Sequence, residues 1–157
     1  MNNKGFTLIE LVVVIVILGI LAVTAAPKYM NLKADAQTST LYGVQAAMQG
    51  ASALVYGKSI VKGNQKLSST NNPKPTITLT DGTELEVNYG YPRPVISDWQ
   101  KLLDLNSEDF LITLTPDTVL LIYPASLDPF DETEDCIVTY TQATPTSKPI
   151  TTVNPCV

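Results

Sequence analysis

No histidine occurs in the 157-residue chain, which removes the side chain that most often titrates near neutral pH and most often ligates metals. Cysteine is nearly as scarce, with Cys136 and Cys156 the whole supply. Two thiols without an imidazole cannot build an ordinary structural zinc site. A nucleophile elbow, a Gly-rich phosphate loop and a paired-cysteine redox motif are all missing, so no constellation for catalysis is visible and no cofactor is implied. Trp99 is the only tryptophan; it reads as a core anchor, with a binding platform as the alternative. Positive charge is short as well. The net charge of −5 argues against nucleic-acid binding.

What is present is unevenly spread. Residues 11–26 form an apolar run broken only by Gly19 and Thr24, while the rest of the chain is polar and rich in Thr, Asn and Pro. The two parts belong in different solvents. Charge divides too: residues 28–74 carry six lysines against Asp35, and residues 81–157 carry thirteen carboxylates against Arg93, Lys101 and Lys148. Two solvated faces would explain this. So would a basic flank meeting the acidic face of a neighbouring copy.

Read as a helix, residues 6–26 extend roughly 31 Å at ~1.5 Å per residue, enough to cross a bilayer. An ordinary signal peptide fits poorly, because Pro27 follows the small residues Thr24, Ala25 and Ala26, and because Glu10 interrupts the apolar region. A plain anchor accounts for the length but leaves Glu10 unexplained. A carboxylate near a membrane wants a partner, and a free amine created by cleavage after Gly5 would lie four residues away on the same helix face. The alternative is a carboxylate that merely reaches the headgroups.

The segment Gly5-Phe6-Thr7-Leu8-Ile9-Glu10-Leu11 resembles the class III signal motif of type IV prepilins and pseudopilins. The resemblance implies a leader over residues 1–5, cleavage between Gly5 and Phe6 by a prepilin peptidase of the inner membrane, and N-methylation of Phe6 by the same enzyme. It further implies that Phe6, Thr7 and Glu10 serve assembly, with Glu10 neutralising the N-terminus of a neighbouring subunit. Gly19 and Pro27 follow the family pattern; glycine weakens a helix and proline removes a donor. Residues 19–27 are therefore the expected soft part of the helix, kinking in the membrane and unwinding in the filament.

Beyond Pro27, Leu41, Val44, Met48, Ala51 and Val55 recur at helical spacing, with Ala47 and Leu54 on the same side. The expected head, residues 28–157, has a helix over 28–56, a polar loop over 57–75 and an antiparallel sheet over 76–141. Two hairpins around Asp81-Gly82 and Pro116-Asp117 supply strands, and Ser97 reads as the cap of a short helix between them. The fold class is α+β: a ladle whose apolar handle, residues 6–27, continues into a helix packed on the sheet.

In a chain that leaves the cytoplasm, the Cys136 and Cys156 pair favours a disulfide over two free thiols. Closing a loop of that size is worth about 3 kcal/mol in the chain-entropy model. In the pilins this C-terminal region, here residues 136–156, forms an exposed edge used for subunit contacts and adhesion. Asp128, Asp131, Glu132, Glu134 and Asp135 form the densest acidic cluster. It is a weak calcium candidate without the EF-hand pattern, or a solvated loop.

Residues 25–32 and Leu41-Tyr42-Gly43 resemble mannose-sensitive haemagglutinin pilins in particular. That implies a major pilin, a homo-oligomeric helical filament for adhesion and biofilm formation, first held in the inner membrane of a Gram-negative cell. An assembly ATPase and an inner-membrane platform are the implied partners. A pseudopilin of a type II secretion system shares the N-terminal argument and is the main competitor. A membrane-tethered enzyme is the third reading, without catalytic residues to support it.

Overall fold

The computed structural model describes residues 5–127, 129 and 131–157, with the side chains of residues 27–31 left aside. Helix α1, Leu8–Lys62, runs for 55 residues and is continuous through Gly19 and Pro27. It starts two residues later than the sequence suggests, because Thr7 adopts extended backbone and caps it. It also ends later. Gly57 is tolerated inside the helix because Val55 and Ser59, either side of it, are both buried against the head. The stop comes at Gly63, whose φ of 76° is left-handed and cheap only for glycine. There the Gly63 and Asn64 N–H groups bond back to the carbonyls of Ile60 and Ser59.

The apolar start of α1 packs on no other element: every residue from Phe6 to Thr24 is exposed. From Leu41 onward a stripe is buried, formed by Leu41, Val44, Met48, Ser52, Val55 and Ser59. The apolar pattern placed Leu54 and Ala47 on this side, but both are exposed and Ser52 takes the buried position. The steps of 3 and 4 are kept while the stripe rotates slightly about the helix.

Two antiparallel sheets cover the stripe, in place of the single sheet expected over residues 76–141. The first has β1 (Thr76–Thr78), β2 (Glu84–Asn88) and β3 (Tyr91–Pro92) in that order, with Ile77 opposite Leu85. The second has β4 (Phe110–Leu114), β5 (Leu120–Pro124), β6 (Ile137–Thr141) and β7 (Ile150–Asn154), again in order. Its register aligns Ile112 with Ile122, Ile122 with Val138, and Val138 with Val153. Helix α2, Ile96–Leu102, separates the sheets. It starts after Val95 with no side-chain cap, so Ser97 lies inside the helix and not at its cap. Trp99 is fully buried within α2.

Two cores lie between the sheets and α1, and a third, smaller cluster of Leu121, Tyr123 and Ile137 lies on the second sheet. Val55, Ile77, Leu85 and Val87 form the one nearer the end of α1. Leu41, Val44 and Met48 meet Trp99, Leu120, Ile122, Val138 and Tyr140 in the larger one. Trp99 and Tyr140 pack edge to face with centroids 4.5 Å apart. The polar ends of both rings are satisfied: Trp99 Nε1 donates to the Arg93 carbonyl at 3.0 Å and the Tyr140 hydroxyl to the Pro92 carbonyl at 2.7 Å.

Strand β7 lies inside the region between the cysteines and extends the second sheet beyond residue 141. Cys136 and Cys156 are joined as a disulfide. Gln45 Nε2 donates to the Thr151 carbonyl at 2.9 Å, and the Cys156 N–H to Thr38 Oγ1 at 2.9 Å. The C-terminal region is thus held to α1 at two levels as well as being closed on itself.

Candidate assembly site at the helix tip

The tip of α1 is built by four backbone groups that an α-helix leaves without partners at its start. Thr7 and Glu10 satisfy two of them reciprocally. The Glu10 N–H donates to Thr7 Oγ1 at 3.3 Å, while the Thr7 N–H donates to Glu10 Oε2 at 2.8 Å. The Thr7 hydroxyl also donates to the same carboxylate oxygen at 2.6 Å. This is a capping box, a Thr followed three residues later by Glu. The Thr7-Leu8-Ile9-Glu10 spacing is itself the sequence signal for such a box. In the single chain, therefore, Glu10 is engaged by Thr7.

Phe6, Ile9, Val13 and Val14 flank Glu10 around a shallow depression, and Phe6 itself is 75% exposed. Leu8–Ala26 is long and apolar enough to cross a membrane, at roughly 28 Å for ~1.5 Å per residue. Within it, Thr24 Oγ1 returns a hydrogen bond to the Leu21 carbonyl at 3.0 Å. Such back-bonding lets a hydroxyl sit in an apolar helix and tends to bend it. Thr24 falls between Gly19 and Pro27, and proline leaves one helical carbonyl without its usual donor.

The sequence-expected residues do not all converge. Gly5, Phe6, Thr7 and Glu10 share the tip, and Gly19 and Pro27 lie farther along the same helix. Cys136 and Cys156 sit in the head beside Thr38. Of the acidic cluster, Asp128 lies outside the described residues. Asp131 accepts from the N–H and hydroxyl of Thr133, and these bonds hold its carboxyl below the usual range. Asn154 Nδ2 bonds the backbone carbonyls of Glu132 and Glu134 at 2.9 Å. Among the described residues no group of three acidic side chains is placed to hold a metal ion.

The lysines likewise divide. Lys33 lies near the start of the head, while Lys58 and Lys62 on the last turns of α1 reach the Thr78 carbonyl and Thr76 hydroxyl. Lys74 and Arg93 both pair with Glu86. Among the described residues the positive charge does not form one continuous flank along the helix.

Residues 1–26 match the family described as the prokaryotic N-terminal methylation motif. A fimbrial protein of Pseudomonas aeruginosa is 40% identical over 89 residues, 54% of this chain and 53% of that protein. The resemblance is to the type IV pilins. A type IV major alpha-pilin of Moraxella bovis is 44% identical over 72 residues, 45% of each chain. A type IV narrow pilus major component of Thermus thermophilus is 44% identical over 54 residues, 34% of this chain and 47% of that one. The chain spans about half the length of the curated relatives it matches. No solved structure matches it. The long apolar helix, antiparallel head and C-terminal disulfide are consistent with the pilin fold.

Proposed function

We propose that this chain is a structural subunit of a type IV pilus that polymerises through the first half of α1, without catalytic activity. One observation carries the reading: an apolar stretch of bilayer length, unburied by the head and tipped by one carboxylate, is continuous with a helix that packs on the head. In a bilayer the stretch is solvated by lipid. On leaving the bilayer it needs other copies of itself.

Lipid is as apolar as the helices, so specificity in that exchange comes from close packing and polar pairing. Cleavage between Gly5 and Phe6 would create an amine whose ordinary pKa lies near ~7.7–8, positive at neutral pH. N-methylation keeps it basic. Glu10 then exchanges its Thr7 bonds for the amine of a neighbouring Phe6, which fixes the stagger between subunits because an unpaired buried carboxylate is costly. Residues 19–27 supply compliance, kinking in the membrane and unwinding under load.

The finer reading is a major pilin of the mannose-sensitive haemagglutinin type, serving attachment and biofilm formation on a Gram-negative cell. Residues 25–32 and 41–43 support it. A prepilin peptidase, an assembly ATPase and an inner-membrane platform are the partners this requires. Deleting the gene and imaging the cells by electron microscopy tests the reading. Loss of surface filaments supports the pilus subunit; intact filaments with lost protein secretion would assign the chain to a type II secretion pseudopilus instead.

A further inference from the structure

A groove in the head, remote from the helix tip, takes no part in the polymerisation just described. It is bounded by Tyr56 on α1, Gln65 and Lys66 just after it, Tyr89 and Tyr91 around β3, and Lys148 ahead of β7. Its volume of about 440 Å³ falls within the ~300–1,000 Å³ typical of small-ligand sites.

The floor is aromatic and fixed. Tyr56 and Tyr91 stack with ring centroids 4.5 Å apart and planes inclined by 14°. Gly90 lies against them at φ +84, where an added Cβ would come within 2.9 Å of the Tyr56 ring and 3.1 Å of the Gln65 backbone. Only glycine allows so close an approach. Tyr89 is held at φ 49, a region few non-glycine residues occupy.

One wall is equally well fixed. The Thr144 N–H donates to the Ser147 carbonyl at 3.0 Å, and the Ser147 N–H donates to Thr144 Oγ1 at 3.0 Å. The base of this turn is anchored by Asn88 Nδ2, which donates to the Ala143 carbonyl at 2.9 Å from a buried position. A site assembled in advance avoids the ordering cost of ligand binding.

Its polar groups are unspent. Among the described residues, buried Gln65 Oε1 has no hydrogen-bond partner. Lys66 and Lys148 form no ion pair among the described residues, although the C-terminal half that supplies much of the groove is strongly acidic. Burial, and secondarily the neighbouring Tyr56, push the Tyr91 hydroxyl above its ordinary pKa, so it stays a donor.

We propose that this groove binds an acidic saccharide, a pyranose ring bearing a carboxylate. The C–H face of the ring lies on the Tyr56 and Tyr91 floor, and the carboxylate lies between Lys66 and Lys148. A small inorganic anion would use the lysines and leave the aromatic floor bare. A neutral sugar would leave the lysines unused. This assignment stands apart from the polymerisation reading, since it uses none of the same residues.

The test is ligand-observed NMR on the full-length chain in detergent micelles, with sialyllactose, a trigalacturonate, lactose and inorganic sulfate as probes. One of the carboxylated probes is expected to bind about tenfold or more tighter than lactose, a difference of about 1.4 kcal/mol. Preference for sialyllactose identifies a cell-surface glycan terminus as the source, and preference for trigalacturonate a uronate polysaccharide. Lys66→Glu and Lys148→Glu, both at exposed positions, should each weaken the preferred probe about tenfold. Equal binding of lactose, full competition by sulfate, or unchanged affinity in both variants would overturn the proposal. So would loss of filaments in these variants with saccharide affinity intact, which would make the groove a contact between copies.

Discussion

Thr7 donates both its backbone N–H and its hydroxyl to the Glu10 carboxylate, at 2.8 and 2.6 Å. The one carboxylate within the apolar tip is thereby hydrogen-bonded within its own helix and keeps its charge. Incorporation into a filament then becomes an exchange of partners. Glu10→Ala should still be processed, because the cleavage site is intact, but should accumulate in the membrane. Immunoblots of sheared and membrane fractions check this; filaments in normal amounts from that variant would remove the pairing argument. Thr7→Ala keeps the carboxylate and loses the cap, which costs about 1 kcal/mol of helix stability, so a milder assembly defect is expected.

The disulfide supports the head separately from the tip. Replacing Cys136 and Cys156 by serine opens a loop near 20 residues and should cost about 3 kcal/mol. Beyond that cost, freed β7 would strain the Gln45–Thr151 and Cys156–Thr38 bonds. Chemical denaturation of the oxidised and double-serine chains, followed by circular dichroism, gives the difference. A change under 1 kcal/mol would mean these two contacts and the β6–β7 pairing hold the region without the covalent link.

Trp99 joins α2 to both α1 and the second sheet, with no solvent exposure. Trp99→Ala should destabilise by about 3–5 kcal/mol, as expected for deletion of a buried aromatic. Trp99→Phe keeps most of the apolar volume and loses the bond to the Arg93 carbonyl, so its cost should be smaller. Equal denaturation midpoints for the two variants would contradict the core assignment.

The ion pairs around Glu86 give the head an acid sensitivity of known sign. The Lys74 ammonium, hydrogen-bonded to it, and Arg93 hold the Glu86 carboxyl below its ordinary value against the opposing effect of partial burial. The folded state therefore binds its proton less readily than the unfolded chain does. This stabilisation is present above the unfolded value of about 4.3 and is lost as pH falls through the lower folded value. Melting temperatures measured from pH 6 down to pH 3 should fall less steeply in Glu86→Gln than in the parent. Parallel curves would mean that Glu86 contributes nothing to the slope.

The sequence made the long helix and its tip legible, because a run of bilayer length and a short motif are local signals. The α+β class followed from the Leu41–Met48 periodicity and the alternating strands. Three features depended on distant partners and were missed. Helix α1 passes Gly57 because packing of Val55 and Ser59 outweighs about 1 kcal/mol of helix propensity. Strand β7, Ile-Thr-Thr-Val-Asn, lacks the period-two alternation of a half-buried strand, since Ile150 and Val153 fall on opposite faces, and it is β6 and Gln45 that hold it in place. The break between the sheets reflects α2 and the burial of Trp99. The saccharide groove was invisible for the same reason, since Tyr56, Lys66, Tyr91 and Lys148 meet only after folding.

The central claim is that the chain leaves the membrane as a processed filament subunit, and the state of its N-terminus reports this most directly. Filaments sheared from native cells can be digested and their N-terminal peptides read by mass spectrometry. The account predicts abundant chains beginning at N-methylated Phe6 in the sheared fraction. Chains in that fraction still beginning at Met1, or methylated Phe6 confined to the cell membrane, would contradict it.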